Sequence, residues 1–431
     1  MQRTDRTGAA WRRTGGVLLA WTLALAGTTP MASAGGASPG IARLTLEQAL
    51  ANALARNKEL AAFAHRLAAQ RGRREQAGRL PNPDLQLEIE DFLGSGRFQD
   101  FDRAQTTLSL GWVLEGRLRA GRVERADAGA ARVAAEQRIL LVEVAADTAE
   151  HFLASLANQA RLERAEEAIA LAERTVGAVA RRVRSGKVPT AELVRAEAEL
   201  AMDRLGRDDV THELAAAYHR LAAQWGDTRP GFSRVEGDLL SLPDVEPHTV
   251  LADRFEGNPQ LGRLATEERL AKADLHLAEA RRWPALRPRL GVRRNQTTDD
   301  TVLVAQVSLP IPALDRRRGA IAASRARVSG ARAEAEAARV RLETLLFELY
   351  EELQHHFHRA ETLRTEVIPR LSEALEGTRR AYERGRYGYL ELRSAQRDLL
   401  RARNDLIEAS TGAHRLVIAL ERLTGEPVVK R

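Results

Sequence analysis

The stretch EELQHHFH, residues 351 to 358, gathers the side chains best suited to hold a metal ion. Glu352 and His356 are spaced i, i+4, and His355 and His358 i, i+3, so on a helix each pair shares a face. Imidazole nitrogens and carboxylate oxygens are the donors that zinc and similar cations accept. The competing reading is structural: His356 continues an apolar seam after Leu353, which turns its neighbours to other sides. The four residues are therefore weak ligand candidates, and no cofactor is implied. Covalent chemistry has no foothold either. There is no Ser/His/Asp grouping beside a nucleophile elbow, no HExxH, and no glycine-rich phosphate loop after a strand. The chain does not read as an enzyme.

Composition narrows what the remaining parts of the 431-residue chain can do. With 44% apolar and 29% charged residues the chain is neither disordered nor a polytopic helical membrane protein. Arg3, Arg6, Arg12 and Arg13 lead into the apolar run GGVLLAWTLALAG, and Ala32-Ser33-Ala34 is an A-x-A cleavage site, so residues 1–34 read as a secretory signal peptide. Arg12-Arg13 leaves a twin-arginine variant open. Beyond it no uncharged apolar run approaches the roughly 20 residues of a membrane helix, which leaves any crossing to strands. The absence of cysteine excludes disulfides, thiolate metal sites and a lipidated N-terminal cysteine. A net charge of +7 would suggest nucleic acid for a cytoplasmic protein. In an exported chain whose arginines alternate with glutamates it marks solvated helix faces, so nucleic acid is not expected as a partner.

The elements are organised as a duplication. RSGKVPTAELVRAEAEL at 184–200 returns as ERGRYGYLELRSAQRDL at 383–399, with Gly186 and Gly385, Glu192 and Glu391, and Leu200 and Leu399 all 199 apart. A first repeat, 41–226, opens with a helix capped by the box T-L-E-Q at Thr45 and running to about Gly78. A strand hairpin follows at about 85–113, where Leu85, Leu87 and Ile89 alternate with polar residues, as do Leu108, Leu110 and Trp112. Next comes a long helix at about 119–184, stepping by threes and fours through Leu162, Ala165, Ile169, Ala172, Val176, Val179 and Val183, and a return helix at about 190–226. A proline-bearing linker, 227–246, joins this to a second repeat, 247–425. That repeat has a first helix from near His248, a hairpin at about 287–311, a long helix at about 315–384 that Pro369 should kink, and a return helix at about 389–424.

Helices of roughly 60 residues and more, about 100 Å at 1.5 Å per residue, cannot form a compact core and must pack laterally. A soluble periplasmic coiled-coil scaffold would satisfy that, but not the hairpins. Four strands cannot close a barrel, open edges are not tolerated in a bilayer, and transmembrane barrels need about eight strands, so several copies must pool their hairpins. Three copies would give twelve.

This order of helix, hairpin, long helix, glycine turn and return helix, over residues 41 to 425, resembles the TolC-like outer membrane factors of tripartite efflux systems. NPDLQLEIEDFLGSG at 82–96 is similar to the branch typified by CzcC, which serves cobalt-zinc-cadmium pumps of the resistance-nodulation-division (RND) type. Where that branch has a glycine-lysine-rich stretch after the second strand, this chain reads GWVLEGRLRAGR. The resemblance implies a mainly α fold with a small β part: a homotrimer with a twelve-strand β-barrel in the outer membrane, continued by a long periplasmic α-helical barrel. It implies a passive exit duct working with a periplasmic adaptor (membrane fusion protein) and an inner-membrane RND pump, for divalent metal cations or, alternatively, small organic molecules.

It also assigns residues. Tyr382, three before Gly385, falls on a gate tyrosine, and Glu192 and Glu391, six after their glycines, fall on acidic positions of the inner constriction. Both glutamates also lie in the first turn of a return helix, where the helix dipole alone would favour a carboxylate. Gly186, Lys187, Val188, Gly385, Tyr387 and Tyr389 make up the adaptor-docking tip, with Tyr387 standing where the family has an arginine.

Overall fold

The computed structural model describes residues 41–430, so the leader read at 1–34 lies outside the described residues. The chain divides into two compact units. One comprises the segments through Ala61, Ile139–Pro259 and from Arg341 onward; the other comprises Ala62–Arg138 and Gln260–Val340.

In the first unit, strand β1 (Ile41–Thr45) leads into helix α1 (Leu46–Arg56). Thr45 caps it as expected: its hydroxyl accepts from the backbone N–H of Gln48, whose side chain accepts from the N–H of Thr45. The first helix is not continuous to Gly78. It breaks at Asn57, and α2 (Lys58–Gly78) starts afresh. The second repeat breaks alike, between α5 (His248–Arg254) and α6 (Pro259–Ala280), at Asn258. The physical reason is that each asparagine turns its amide to a distant carbonyl. Asn57 donates to Gln224 O at 2.9 Å and Asn258 to Leu423 O at 2.5 Å, and the two acceptors hold equivalent places in the two repeats. The side-chain oxygen of Asn57 also accepts from the N–H groups of Glu59 and Leu60, starting the new helix.

Helix α3 (Arg117–Arg184) is a single element of 68 residues, followed by the return helix α4 (Thr190–Ala223). The seam residues from Leu162 to Val183 are all buried or half-buried. The linker read at 227–246 is more than a linker. It contains β4 (Phe232–Glu236), which pairs in parallel with β1, and its end bridges the C-terminal segment at Val245 and Val429. The local pattern of β4 is too short to signal a strand; its pairing with β1, at the other end of the first repeat, creates it. Around this small sheet Leu44, Phe152, Leu221, Trp225, Val235 and Ile418 belong to the main core cluster of the unit.

The second long helix is interrupted near Pro369, as expected. Helix α7 (Arg318–Thr362) and α8 (Ile368–Glu383) flank a π-helical turn, Leu363–Val367. Proline has no N–H to offer a carbonyl one turn back, and the wider π turn absorbs that mismatch without ending the helix. The return helix α9 (Tyr389–Thr424) completes the unit.

The second unit carries the larger sheet. Strands β2 (Asp84–Glu90), β3 (Gln105–Gly111), β5 (Arg287–Asn295) and β6 (Asp300–Ser308) form one antiparallel four-stranded sheet in the order β2-β3-β5-β6. The two expected hairpins are therefore joined side by side through β3 and β5, in continuous register from Gln105 opposite Asn295 to Gly111 opposite Arg289. No helix among the described residues is long and apolar enough to cross a membrane.

Candidate functional site

The two turns of the duplicated motif have the same backbone. At the first, Gly186 has φ +67°, its N–H donates to Val183 O at 2.9 Å, and Lys187 N–H donates to Arg182 O at 2.9 Å. At the second, Gly385 has φ +78°, with Gly385 N–H on Tyr382 O and Arg386 N–H on Ala381 O, both at 2.9 Å. This pair of bonds is a Schellman termination, and its left-handed residue favours glycine.

The side chains around the turns differ. Tyr382 is buried, 1% exposed, and Arg182 lies over its ring at 4.4 Å while donating to its backbone carbonyl at 2.9 Å. Burial pushes the Tyr382 phenol above its ordinary range, with Arg182 opposing and Glu192 reinforcing the shift. Glu192 is half-buried, with one carboxylate oxygen enclosed and unpartnered. The structure thus lays Arg182 on Tyr382, with the Glu192 carboxylate near enough to act on the phenol. Glu391 is not part of that cluster: it is exposed, with one oxygen folded back to 2.9 Å from where a Cβ on Gly388 would lie. Both glutamates do sit in the first turn of their return helix.

Of the tip residues, Gly186, Lys187, Gly385 and Tyr387 are exposed and Val188 is half-buried. Tyr389 departs from expectation. It is 4% exposed, and its hydroxyl donates to Glu199 at 2.8 Å. Burial, reinforced by Glu199, raises the phenol far above its usual range. As the first residue of α9 it points into the packing between the two return helices, so it anchors the tip and offers no docking surface. Arg393 pairs with Glu199 at 2.5 Å and lies 3.7 Å from Asp203, whose carboxyl is raised by burial and lowered in part by Arg393. Arg182, Glu199, Asp203 and Arg393 escaped the sequence reading because each is one charge among many on a helix. Only their partners in the other repeat distinguish them.

The weak metal candidates do not converge. Glu352, His355 and His358 are exposed, whereas the His356 ring is laid over Gly412 of α9, where any Cβ would collide with it. Among the described residues no three His, Cys, Asp or Glu side chains are grouped to hold a metal ion. His356 is a packing residue whose size is matched by a glycine across the helix pair.

The four-stranded sheet has an apolar and a polar face, although β6 is apolar on both at its middle, with Val302 and Val304 on the polar one. Register places Leu87, Leu108, Val292 and Leu303 in one row and Leu85, Leu110, Leu290 and Ala305 in the next but one, on the same face. Within these rows Leu85 is 70% and Leu303 80% exposed. The opposite face is polar, with Asp84, Glu88 and Glu90 from β2 and Arg289 and Arg293 from β5. Strands β2 and β6 have free outer edges among the described residues. Trp112 and Trp283 stand by the helix-proximal ends of the strands and Phe92 stacks on Phe101 at 5.2 Å in the opposite loop, the placing of interfacial aromatic girdles.

The sequence profile of the outer membrane efflux protein family matches residues 49–227 and 251–426, one stretch in each repeat. The chain belongs to that family. It is 27% identical over 383 residues to the cobalt-zinc-cadmium resistance protein CzcC of Cupriavidus metallidurans, covering 89% of this chain and 90% of that one. It is 29% identical over 272 residues to the nickel-cobalt-cadmium resistance protein NccC of Alcaligenes xylosoxydans xylosoxydans, 60% of each chain. Among solved structures it superposes on CusC with a TM-score of 0.74 at 16% identity, covering 92% of this chain and 95% of that one. VceC of Vibrio cholerae gives 0.71 at 18%, covering 89% and 96%. The fold is that of the TolC-like outer membrane factors, and the chain is an outer membrane efflux channel protein.

Proposed function

We propose that the protein is the passive exit duct of a tripartite efflux system and passes divalent cations of the cobalt, zinc and cadmium type. The sheet carries the duct reading: an exposed apolar face cannot rest in water, and its two free edges cannot rest in lipid. Both problems vanish if three copies join β6 of one to β2 of the next, giving twelve strands with leucines outward and charges inward. The cargo reading is supported by the resistance functions for which CzcC and NccC are named.

An inner-membrane RND pump would load the duct through a periplasmic adaptor that docks on Gly186, Lys187, Val188, Gly385 and Tyr387. The Arg182–Tyr382–Glu192 cluster would hold the inner mouth shut, since opening it must expose the buried phenol and separate it from Arg182. Glu391, exposed at the start of α9, would face the passing cations. A strain deleted for the gene should lose tolerance to zinc, cobalt or cadmium and regain it on complementation. Unchanged tolerance to all three, with heightened sensitivity to detergents or dyes, would overturn the cargo and leave the duct. In outer membrane fractions the protein should run as an SDS-resistant trimer until heated; a monomer at every temperature would overturn the shared barrel.

A further inference from the structure

The polar face of the sheet is wired in a way that the exit-duct reading does not require. Three of its acids stand on β2 and its arginines on β5, with β3 between them, yet two of each are paired. Arg289 reaches Asp84 at 2.7 Å across Gly111. A Cβ on Gly111 would come within 2.7 Å of an Asp84 oxygen, so the glycine keeps this bridge open. Arg293 reaches Glu90 at 3.2 Å and is steadied on the way by Thr107 Oγ1 at 2.9 Å and Gln105 Oε1 at 3.1 Å. Both arginines are thereby committed to carboxylates two strands away.

Glu88 is left over. It sits in the same row as Thr107, Arg293 and Val302, is exposed, and makes no hydrogen bond or ion pair among the described residues. Resting on the proposed trimeric barrel, its other neighbour would be β6 of the next copy. The polar face of β6 is Asp300, Val302, Val304, Gln306 and Ser308, which contains no cation, so no register of that junction can neutralise Glu88. The remaining arginine of the face, Arg287, lies six positions along β5 from Arg293, roughly 20 Å away and beyond a physiological Debye length.

We infer that Glu88 is the mid-strand charge that sets the ion preference of the barrel, with three copies forming a carboxylate ring at a height where the nearest arginines, Arg289 and Arg293, are already paired, while Asp300 and Arg287 stand at opposite ends of the strands. Such a ring raises the local concentration of cations without chelating them, because single carboxylates held far apart around a wide pore cannot share one ion. The same wall without the β2 acids would expose the arginines of all three copies and repel a divalent cation.

The test is the reversal potential of the purified trimer in planar bilayers across a KCl gradient at low ionic strength. The wild-type channel should prefer potassium. Glu88→Gln should lower the potassium-to-chloride permeability ratio by about twofold or more at a Debye length that spans the pore, and Glu88→Asp should retain it. Arg289→Gln, which uncovers Asp84, should move the ratio the other way. Each variant is first checked for the SDS-resistant trimer, so that a folding defect is not read as selectivity. A conducting channel whose ratio is unmoved by Glu88→Gln, whatever Arg289→Gln does, would overturn the assignment of Glu88 and leave the duct standing. A wild-type trimer that never conducts would overturn the duct reading and this inference with it.

Discussion

The two return helices start from the same turn and end at equivalent places in the two repeats, yet they live in different surroundings. Helix α9 buries a nearly continuous stripe from Tyr389 through Leu392, Gln396, Leu399 and Leu406 to Leu423. Helix α4 buries only Ala196, Ala217, Leu221 and Ala222, and leaves Val194, Met202 and Leu205 exposed. A duplicated sequence therefore preserves the backbone of each element but not its environment. Of these two helices the second copy's is the buried one, and the first copy's leaves apolar side chains that the proposed neighbouring copies would cover.

The sharpest way to break that contrast is to truncate equivalent residues. Tyr382→Ala, at a buried ring, should cost about 3–5 kcal/mol, whereas Val183→Ala at the matching and only partly buried position should cost less than about 2 kcal/mol. Unfolding in detergent followed by circular dichroism would compare them, and equal losses would mean that the two tips are packed alike. Glu421 gives a second asymmetry, because its repeat counterpart is Ala222. Its carboxyl is 7% exposed, with one oxygen unpartnered and the other 3.4 Å from the Val428 N–H, and burial raises it to about 8.

The native state thus holds a proton that the unfolded chain has already released. Stability should fall as pH rises from the model-peptide value near 4.5 to about 8, and level off above, by an amount on the order of a few kcal/mol. Glu421→Gln should flatten that slope; a slope that survives the substitution would have to come from other groups. The smallest effect expected is at the turns. Gly186→Ala and Gly385→Ala should each cost about 1–2 kcal/mol through the left-handed φ alone. A new Cβ meets nothing within 4 Å at Gly186 and only Arg182, at 3.8 Å, at Gly385, so the two costs should match. A much larger loss at Gly385 would show that the Arg182 contact matters more than the backbone.

Much of the fold was legible because it follows from local rules. The capping box at Thr45, the alternation in DLQLEIE, the heptad seam of α3 and the glycine terminations each depend on residues a few positions apart, and each formed as read. The expectations that failed concern partners far along the chain. A pattern of helix formers cannot show that Asn57 and Asn258 will be drawn to the ends of the return helices and break the run. Tyr389 read as a tip residue because it follows the turn directly; its hydroxyl instead found Glu199 on the facing helix. His356, by contrast, read as a continuation of the seam after Leu353 and does pack there, though only the absence of a side chain at Gly412 decided where its ring went.

By itself the sequence determined the duplication, the kind of each major element and the family, because spacing, periodicity and turn chemistry are written within each segment. Only the tertiary structure decided that β3 joins β5 so that the two hairpins form one sheet, that Arg289 and Arg293 spend their charge on Asp84 and Glu90, and that Arg182 rather than another arginine covers Tyr382. Those outcomes depend on which distant surfaces meet. A charge or a ring acquires its role only from what lies opposite it.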